Sequence, residues 1–325
     1  MRPILTLFAA ASTAAILLAC QPAVSNESNG PSTRNGGGAN QATAAESNPS
    51  NTISYEGTIQ QFRDGREAEL KSDTGWLTIA GLYFLSQPSS TFGSDPLNDI
   101  VLPASAPKQA GIVEFHEGKV RVQAAAGIMF QLGDQSVTSA ELKSDRQGSP
   151  DKIGIGDLRL WVHMSGDRVS VRLSDRNNRL RREFKGTTWF PINEAYRVEG
   201  QYIPYDRPHT IEVANLLGDI DKMSVPGVVT FTLNGEPLKM EPIAEPGDKE
   251  FWFIFRDLTS GKETYPAARF LTMPAPTNGK IVLDFNMAEN PPCAYNPFTT
   301  CPLPPEQNRL RVRVEAGEKT YSGHP

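Results

Sequence analysis

From Gly75 onward the chain consists of short apolar runs that Gly and Pro interrupt about every eight to twelve residues. The runs Leu158 to Met164 and Arg168 to Leu173 are joined by Ser165-Gly166-Asp167, which is typical of a tight hairpin turn. Asn234-Gly235 is a second hairpin signal, for a type I′ turn. Many short strands separated by turns predict a mainly β fold, with an antiparallel β-sandwich.

A polar break at Ser174 to Arg179 divides this β region. We predict the sandwich over residues 74–176 and a second antiparallel β unit over residues 177–325, which contains a Cys- and Pro-rich loop. Strands of the two units are expected at Ile112 to Phe115, Lys119 to Gln123, Arg197 to Ile203, Thr210 to Ala214, Val228 to Leu233 and Glu250 to Arg256.

One amphipathic helix is predicted before the β region, within residues 53–73. Ser54 can cap its start, and Arg63 and Arg66 are expected to be solvated, with a contact to a carboxylate as the alternative. Apolar and long side chains recur there at helical spacing: Tyr55, Ile59, Phe62, Arg66 and Leu70.

The N-terminus has the pattern of an export signal. Met1-Arg2 is followed by an apolar run to Leu18, too short for a comfortable membrane span but suited to a signal peptide over residues 1–19. Leu17-Leu18-Ala19-Cys20 resembles a bacterial lipobox, which implies that Cys20 is acylated and anchors the chain in a lipid bilayer. Plain cleavage after Ala19 is the alternative.

Residues 20–52 are predicted to be a disordered tether, because Ser, Asn, Gly, Ala and Pro dominate after the cysteine and cannot build a core. A flexible coil of this length spans about 30 Å. Gln21 rather than Asp follows Cys20, which by analogy with other lipoproteins favours the outer membrane, with the folded part facing the periplasm.

Charge and motifs exclude several classes of function. The net charge is −5 and no basic block occurs, so nucleic acid is not expected as a partner. No P-loop, Gly-x-Ser-x-Gly or His-Glu-x-x-His motif is found, and no cofactor is predicted. The four histidines are scattered, and His163 is interpreted as a satisfied histidine of a sheet.

Cys293 and Cys301 lie eight residues apart in the Pro-rich loop. In an oxidising periplasm such a pair predicts a disulfide, which would stabilise by roughly 2.5 kcal/mol on the chain-entropy model. Metal binding is the alternative, but no second cysteine pair or histidine cluster supports it, so no metal is predicted.

The polar residues around this loop form the predicted site. Alternation along Ile281 to Asn286 puts Asp284 and Asn286 on one face, and Leu310 to Val314 reads as a strand that could pair with it. Asp284 and Glu315 are then candidates for general acid and base. The alternative is that the charged residues form an exposed ion pair between strands, which contributes under about 1 kcal/mol to stability. The candidate ligand-binding residues are Tyr265, Arg269, Asn286, Asn290 and Arg311.

Two resemblances add to this reading. Gly93-Ser94-Asp95 and Asn98 to Pro103 resemble a forkhead-associated domain, but the Ser-x-x-His element for phosphothreonine does not follow. The chain from about Ile59 to Tyr321 resembles the DUF1684 family, whose function is not established. The motifs are Gly75-Trp76-Leu77, Phe92 to Pro103, Phe184-Lys185-Gly186, Trp189-Phe190-Pro191, Asp257 to Tyr265, Arg269-Phe270-Leu271 and Asp284 to Glu318.

Three hypotheses about function follow from the sequence. The first is a binding module for a small polar molecule or envelope component, because polar side chains concentrate around one rigid loop. The second is a periplasmic hydrolase that uses Asp284 and Glu315. The third is a purely structural scaffold. The sequence identifies no protein partner and no substrate.

Overall fold

The computed structural model describes residues 53–323, and most of its regular structure is antiparallel β-sheet. The mainly β prediction is therefore confirmed. The predicted signal peptide, Cys20 and the tether lie outside the described residues. Within these residues the α-helices are α1 (Tyr55–Lys71) and the single turn α2 (Arg179–Arg182).

The first half of the chain forms two sheets. The six-stranded sheet has the order β1-β11-β10-β9-β6-β7, and the five-stranded sheet has the order β3-β2-β4-β5-β8. The strands are β1 (Ile79–Phe84), β2 (Ser89–Gly93), β3 (Ile100–Val101), β4 (Gly111–His116), β5 (Lys119–Ala124), β6 (Phe130–Leu132), β7 (Gln135–Val137), β8 (Ser139–Leu142), β9 (Ile153–Ile155), β10 (Leu158–Ser165) and β11 (Arg168–Asp175).

These two sheets share one hydrophobic core, so the first half is a β-sandwich. Phe92 and Phe130 meet in it with ring centroids 5.7 Å apart. All strand pairs are antiparallel except β2 with β3. The predicted hairpin at Ser165-Gly166-Asp167 joins β10 to β11 in continuous register.

The outer face of the β10–β11 hairpin is polar and nevertheless buried. Alternation sends Leu160, Val162 and Val171 into the sandwich core, and their neighbours point the other way. A buried polar face indicates that another part of the protein covers it. The covered residues are Trp161, His163, Ser165, Ser170, Arg172 and Ser174.

The second half forms a four-stranded sheet of order β14-β13-β12-β17 and a two-stranded sheet β15-β16, which enclose a second core. The predicted runs from Arg197 and Thr210 belong to one long strand, with an irregularity between Pro204 and His209. The strands are β12 (Arg197–Ala214), β13 (Ile220–Leu233), β14 (Glu236–Met240), β15 (Glu250–Phe255), β16 (Arg269–Pro274) and β17 (Lys280–Asp284).

The prediction of a strand from Leu310 to Val314 is wrong. This segment is extended, but it bonds irregularly to the chain around Arg256 and Leu258 instead of entering a sheet. Likewise β17 ends at Asp284, and residues 285–287 form a 3₁₀ turn. Alternation in sequence does not distinguish a strand from an extended segment whose backbone is bonded by other means.

Helix α1 begins as predicted, with the Ser54 hydroxyl accepting a hydrogen bond from the amide of Gly57. Arg66 is buried, which corrects the expectation that it is solvated. Its Nη2 donates to the carbonyl of Asn290 at 3.0 Å, and its Nε lies 3.1 Å from Glu289. The helix is thereby fixed to the C-terminal segment.

Gly317 lies at a close approach of three segments. Its φ is +81°, and a Cβ there would lie 2.5 Å from the carbonyl oxygen of Ala288 and 2.7 Å from that of Phe285. Gly235, in the type I′ turn after Asn234, has φ +82° but open space around it. Both positions disfavour an L side chain, and only the first also excludes its volume.

We predict that Gly317→Ala lowers the free energy of unfolding by about 3–4 kcal/mol, because backbone strain and overpacking add. Gly235→Ala is the matched control and should cost only about 1 kcal/mol, since it carries the strain alone. Chemical denaturation measures both variants. Equal losses would contradict the close approach at Gly317.

Candidate functional site

The residues predicted to form a site are buried and bonded to one another or to backbone. Arg269 is fully buried, and its Nη1 donates to Asp257 at 2.9 Å and to the carbonyl of Val314 at 3.0 Å. Its Nη2 donates to the carbonyl of Ala316. Arg269 thus holds the C-terminal segment and a carboxylate of its own chain, where the sequence predicted a contact with a ligand.

Asp284 and Asn286 form a second buried group with the start of α1. The hydroxyl of Tyr55 donates to the two carboxylate oxygens of Asp284 at 3.0 and 2.9 Å, and Asn286 bonds to Asp284 and to the backbone of Asn193. Burial, together with the bond to Asp284, raises the pKa of Tyr55. This group attaches α1 to the end of β17.

Asp284 and Glu315 are not brought together. Asp284 is bonded to Tyr55 and Asn286, whereas Glu315 is exposed and pairs with Arg313 at 2.8 Å. Within residues 53–323 no contact joins the two carboxylates. Arg311 is exposed on the same segment as Glu315. The predicted acid–base pair therefore has no common site.

Tyr265 and Asn290 lie on either side of the Cys- and Pro-rich loop. The Tyr265 hydroxyl donates to the carbonyl of Cys293 at 3.1 Å. The amide of Asn290 donates to Glu318 at 2.9 Å, and burial raises the pKa of Glu318. These contacts hold the loop in place.

The predicted disulfide is not formed, because Cys293 and Cys301 are free and buried. The amide of Cys293 donates to the Sγ of Cys301 at 3.2 Å, so the loop is closed by a hydrogen bond to sulfur. Among the described residues, no group of three or more His, Cys, Asp and Glu is arranged to hold a metal ion. No helix within residues 53–323 is long and apolar enough to cross a membrane.

A cleft of about 460 Å³ lies elsewhere, at one end of the polar face of the sandwich. Trp161, Ser174 and the following Arg176 reach it from β10 and β11, and Thr78 reaches it from the segment after α1. Lys152 and Arg159 line it beside β9, together with two carboxylates, Asp73 and Asp151. None of the residues predicted as the site lines this cleft.

Two cations in the cleft have no carboxylate partner within the described part of the chain. Arg159 bonds to the carbonyls of Gly156 and Leu158 at 2.7 and 2.8 Å, and Lys152 lies 4.8 Å above the ring of Trp161. Desolvation lowers the pKa of Lys152. The carboxylates are engaged, since Asp73 pairs with Arg181 and Asp151 accepts the amide of Lys143. The cleft can therefore receive a negative charge beside an aromatic ring.

The sequence contained a signal for this cleft. In β11 the polar residues Ser170, Arg172 and Ser174 alternate with apolar ones, and Trp161 and His163 alternate likewise in β10. The pattern indicated one polar face, but only the fold shows that the second half covers it. Lys152 and Arg176 lie in loops, and no sequence motif marked them as part of a site.

Fold and site together define a mainly antiparallel β protein in two units with a polar cleft. The model of the family described as a protein of unknown function, DUF1684, matches residues 182–319, so the predicted resemblance is confirmed over this region. The solution NMR structure of an uncharacterized protein from Haloarcula marismortui is 31% identical, with coverage of 44% of this chain and 81% of that chain and a TM-score of 0.38. No curated protein matches the chain.

We predict that Asp257→Asn lowers the free energy of unfolding by about 3–5 kcal/mol, because it leaves the buried guanidinium of Arg269 without a counter-charge. Glu315→Gln is the matched control, since it removes an exposed partner of Arg313 and should cost under about 1 kcal/mol. Urea denaturation measures both. A loss below about 1 kcal/mol for Asp257→Asn would show that the pair is not buried as described.

Proposed function

We propose that the protein is a lipoprotein of the cell envelope whose folded part binds a small polar molecule in the cleft at the end of the sandwich. The acyl anchor is Cys20, the membrane is the outer membrane, and the folded part faces the periplasm. The ligand carries a carboxylate or phosphate group, together with a flat or apolar part.

The observation that carries this proposal is the combination of cations and aromatic surface in the cleft. Lys152 and Arg159 are cations without carboxylate partners in the described part of the chain, and Arg176 adds a positive charge that is paired with Asp73 at 3.8 Å. A guanidinium binds planar anions through two parallel hydrogen bonds. The face of Trp161 adds apolar contact, as is usual in small-molecule sites.

The sequence supports localisation to the cell envelope. A short apolar run to Leu18 followed by Cys20 is typical of exported lipoproteins, and the low-complexity stretch that follows extends to residue 52, directly before the first described residue, Ile53. Because α1 starts two residues later at Tyr55, the tether leads directly into the folded part. An acyl anchor with such a tether allows the cleft to sample small molecules above the membrane surface.

The earlier hypothesis of a hydrolase based on Asp284 and Glu315 is not carried forward, because the two carboxylates lie in different surroundings. A purely structural role remains an outcome of the binding test. It predicts that no small anion stabilises the protein and that cleft substitutions change nothing but stability.

We predict that a screen of carboxylated and phosphorylated metabolites contains compounds that raise the melting temperature. A ligand at about 100 times its Kd stabilises by about 2.7 kcal/mol, or roughly 5–10 °C for a protein of this size. Lys152→Ala combined with Arg159→Ala should remove most of that shift. Lys119→Ala is the control, because Lys119 pairs with Glu141 on the opposite sheet. An unchanged shift in the double variant would refute the cleft as the binding site.

The anchoring proposal predicts that Cys20→Ala releases the protein from the membrane. Without acyl chains the tether has no apolar segment to hold it, so the variant should appear in the soluble periplasmic fraction. Fractionation with immunoblotting measures this, and Cys301→Ala is the matched control that should stay in the outer membrane. Membrane retention of Cys20→Ala would contradict the anchor.

A further inference from the structure

We propose that Asp145, His163 and Thr300 form a second site, a catalytic array that hydrolyses carboxylic esters, with Thr300 as nucleophile and His163 as base. The array lies further along the same polar face of the sandwich as the cleft. It is assembled from both halves of the chain, because Asp145 and His163 belong to the sandwich and Thr300 belongs to the Cys- and Pro-rich loop.

Distances within the array are those of a hydrogen-bonded relay. The Nδ1 of His163 lies 2.5 Å from Oδ2 of Asp145, and its Nε2 lies 2.9 Å from Oγ1 of Thr300. The second oxygen of Asp145 accepts the backbone amide of Met164 at 3.0 Å, which fixes the carboxylate. A hydroxyl, an imidazole and a carboxylate in this order are the arrangement that activates a nucleophile.

The arrangement also assigns the histidine tautomer. Because the Asp145 carboxylate accepts, Nδ1 of His163 carries the proton, and Nε2 is left to accept the proton of Thr300. Burial lowers the pKa of His163, and the hydrogen bond that its Nδ1 donates to Asp145 opposes this shift. Arg172 lowers this pKa further and Asp221 raises it. The imidazole is therefore neutral at neutral pH and able to act as a base.

Arg172 supplies a donor for the negative charge that develops during the reaction. Its Nη2 lies 3.5 Å from Oγ1 of Thr300, and its Nε is buried without a hydrogen-bond partner in the described part of the chain. An unpaired buried N–H is costly. A guanidinium placed beside the attacking oxygen can stabilise an oxyanion once a substrate arrives. This unpaired N–H belongs to the guanidinium whose Nη2 reaches Thr300.

Two members of the array keep part of their surface exposed. His163 is buried, whereas Thr300 and Asp145 are only half-buried. Trp161 of the cleft is two residues before His163 on the same face of β10, or about 7 Å away. In the proposed reaction a small ester approaches Oγ1 of Thr300 from the exposed part of the Thr300 and Asp145 side chains.

The reaction balances without a cofactor. Oγ1 of Thr300 attacks the ester carbonyl while its proton passes to Nε2 of His163. The tetrahedral intermediate expels the alcohol, which takes that proton, and an acyl ester remains on Thr300. Water, deprotonated by His163, then attacks the acyl group. The acid is released, and the proton returns from His163 to Thr300.

The test uses p-nitrophenyl acetate and the purified full chain. We expect release of p-nitrophenol above the buffer rate and an acetyl group on Thr300 in peptide mass spectrometry. Thr300→Val and His163→Gln should each lower kcat by about 10²-fold or more and abolish the acetyl group. Thr300→Ser keeps the hydroxyl and should keep the activity. His116→Gln, on an exposed strand end of the other sheet, should leave the rate unchanged.

Asp145 is a positioning residue, and its test separates orientation from folding. Asp145→Asn should lower kcat while KM and the melting temperature stay close to those of the wild type. If Thr300→Val does not fold by circular dichroism, comparison of Thr300→Ala with Thr300→Ser decides the question.

Turnover equal to buffer, acetylation only at other residues, or full activity of the folded Thr300→Val would each overturn the proposal. Because p-nitrophenyl acetate is small and neutral, it does not need the cations of the cleft. Failure of the cleft proposal is recognised separately, because that proposal is tested by ligand-induced shifts of the melting temperature and not by turnover.

Discussion

The C-terminal segment from Asp284 to Tyr321 is buried almost without strands, so side chains must satisfy backbone groups that a sheet would otherwise pair. Arg269 and Asp257 bond to the backbone of Val314 and Ala316, and Asn308 bonds to the carbonyls of Glu241 and Ile254. Polar residues that would suit a binding site in an open loop are thus required for packing here. Because these polar residues are used for packing, the segment has the composition of a binding site, yet none of the predicted site residues lines the cleft.

The two halves of the chain meet across polar surface, which is an unusual way to join buried faces. The outer face of β10 and β11 carries Trp161, His163 and Arg172, while the covering loop brings Thr300. Each buried polar group there needs a hydrogen-bond partner, and the opposite half supplies some of them, as Thr300 does for His163. Hydrogen bonds between such partners stabilise the contact between the two halves. Nε of Arg172 is a buried donor without a partner in the described part of the chain.

Local sequence signals predicted much of the fold, whereas contacts between residues far apart in the sequence could not be predicted. The helix cap at Ser54, the hairpin at Ser165 to Asp167 and the turn at Asn234-Gly235 depend on a few neighbouring residues, so the sequence was sufficient. The segment from Leu310 alternates like a strand because it is extended, but its hydrogen bonds come from residues far away in the chain. His163 was interpreted as an ordinary sheet histidine because Asp145 and Thr300 are separated from it by 18 and 137 positions.

The bond between His163 and Thr300 has a mechanical consequence. This bond joins the two halves of the chain, so its length depends on how the two halves are positioned relative to each other. Starting from 2.9 Å, a slide of about 1 Å would separate Nε2 from Oγ1 beyond hydrogen-bonding distance, while each hydrophobic core stayed intact. The same slide would leave the imidazole bonded to Asp145 on the sandwich side. Small relative displacements of the halves would therefore disconnect the hydroxyl without unfolding either half.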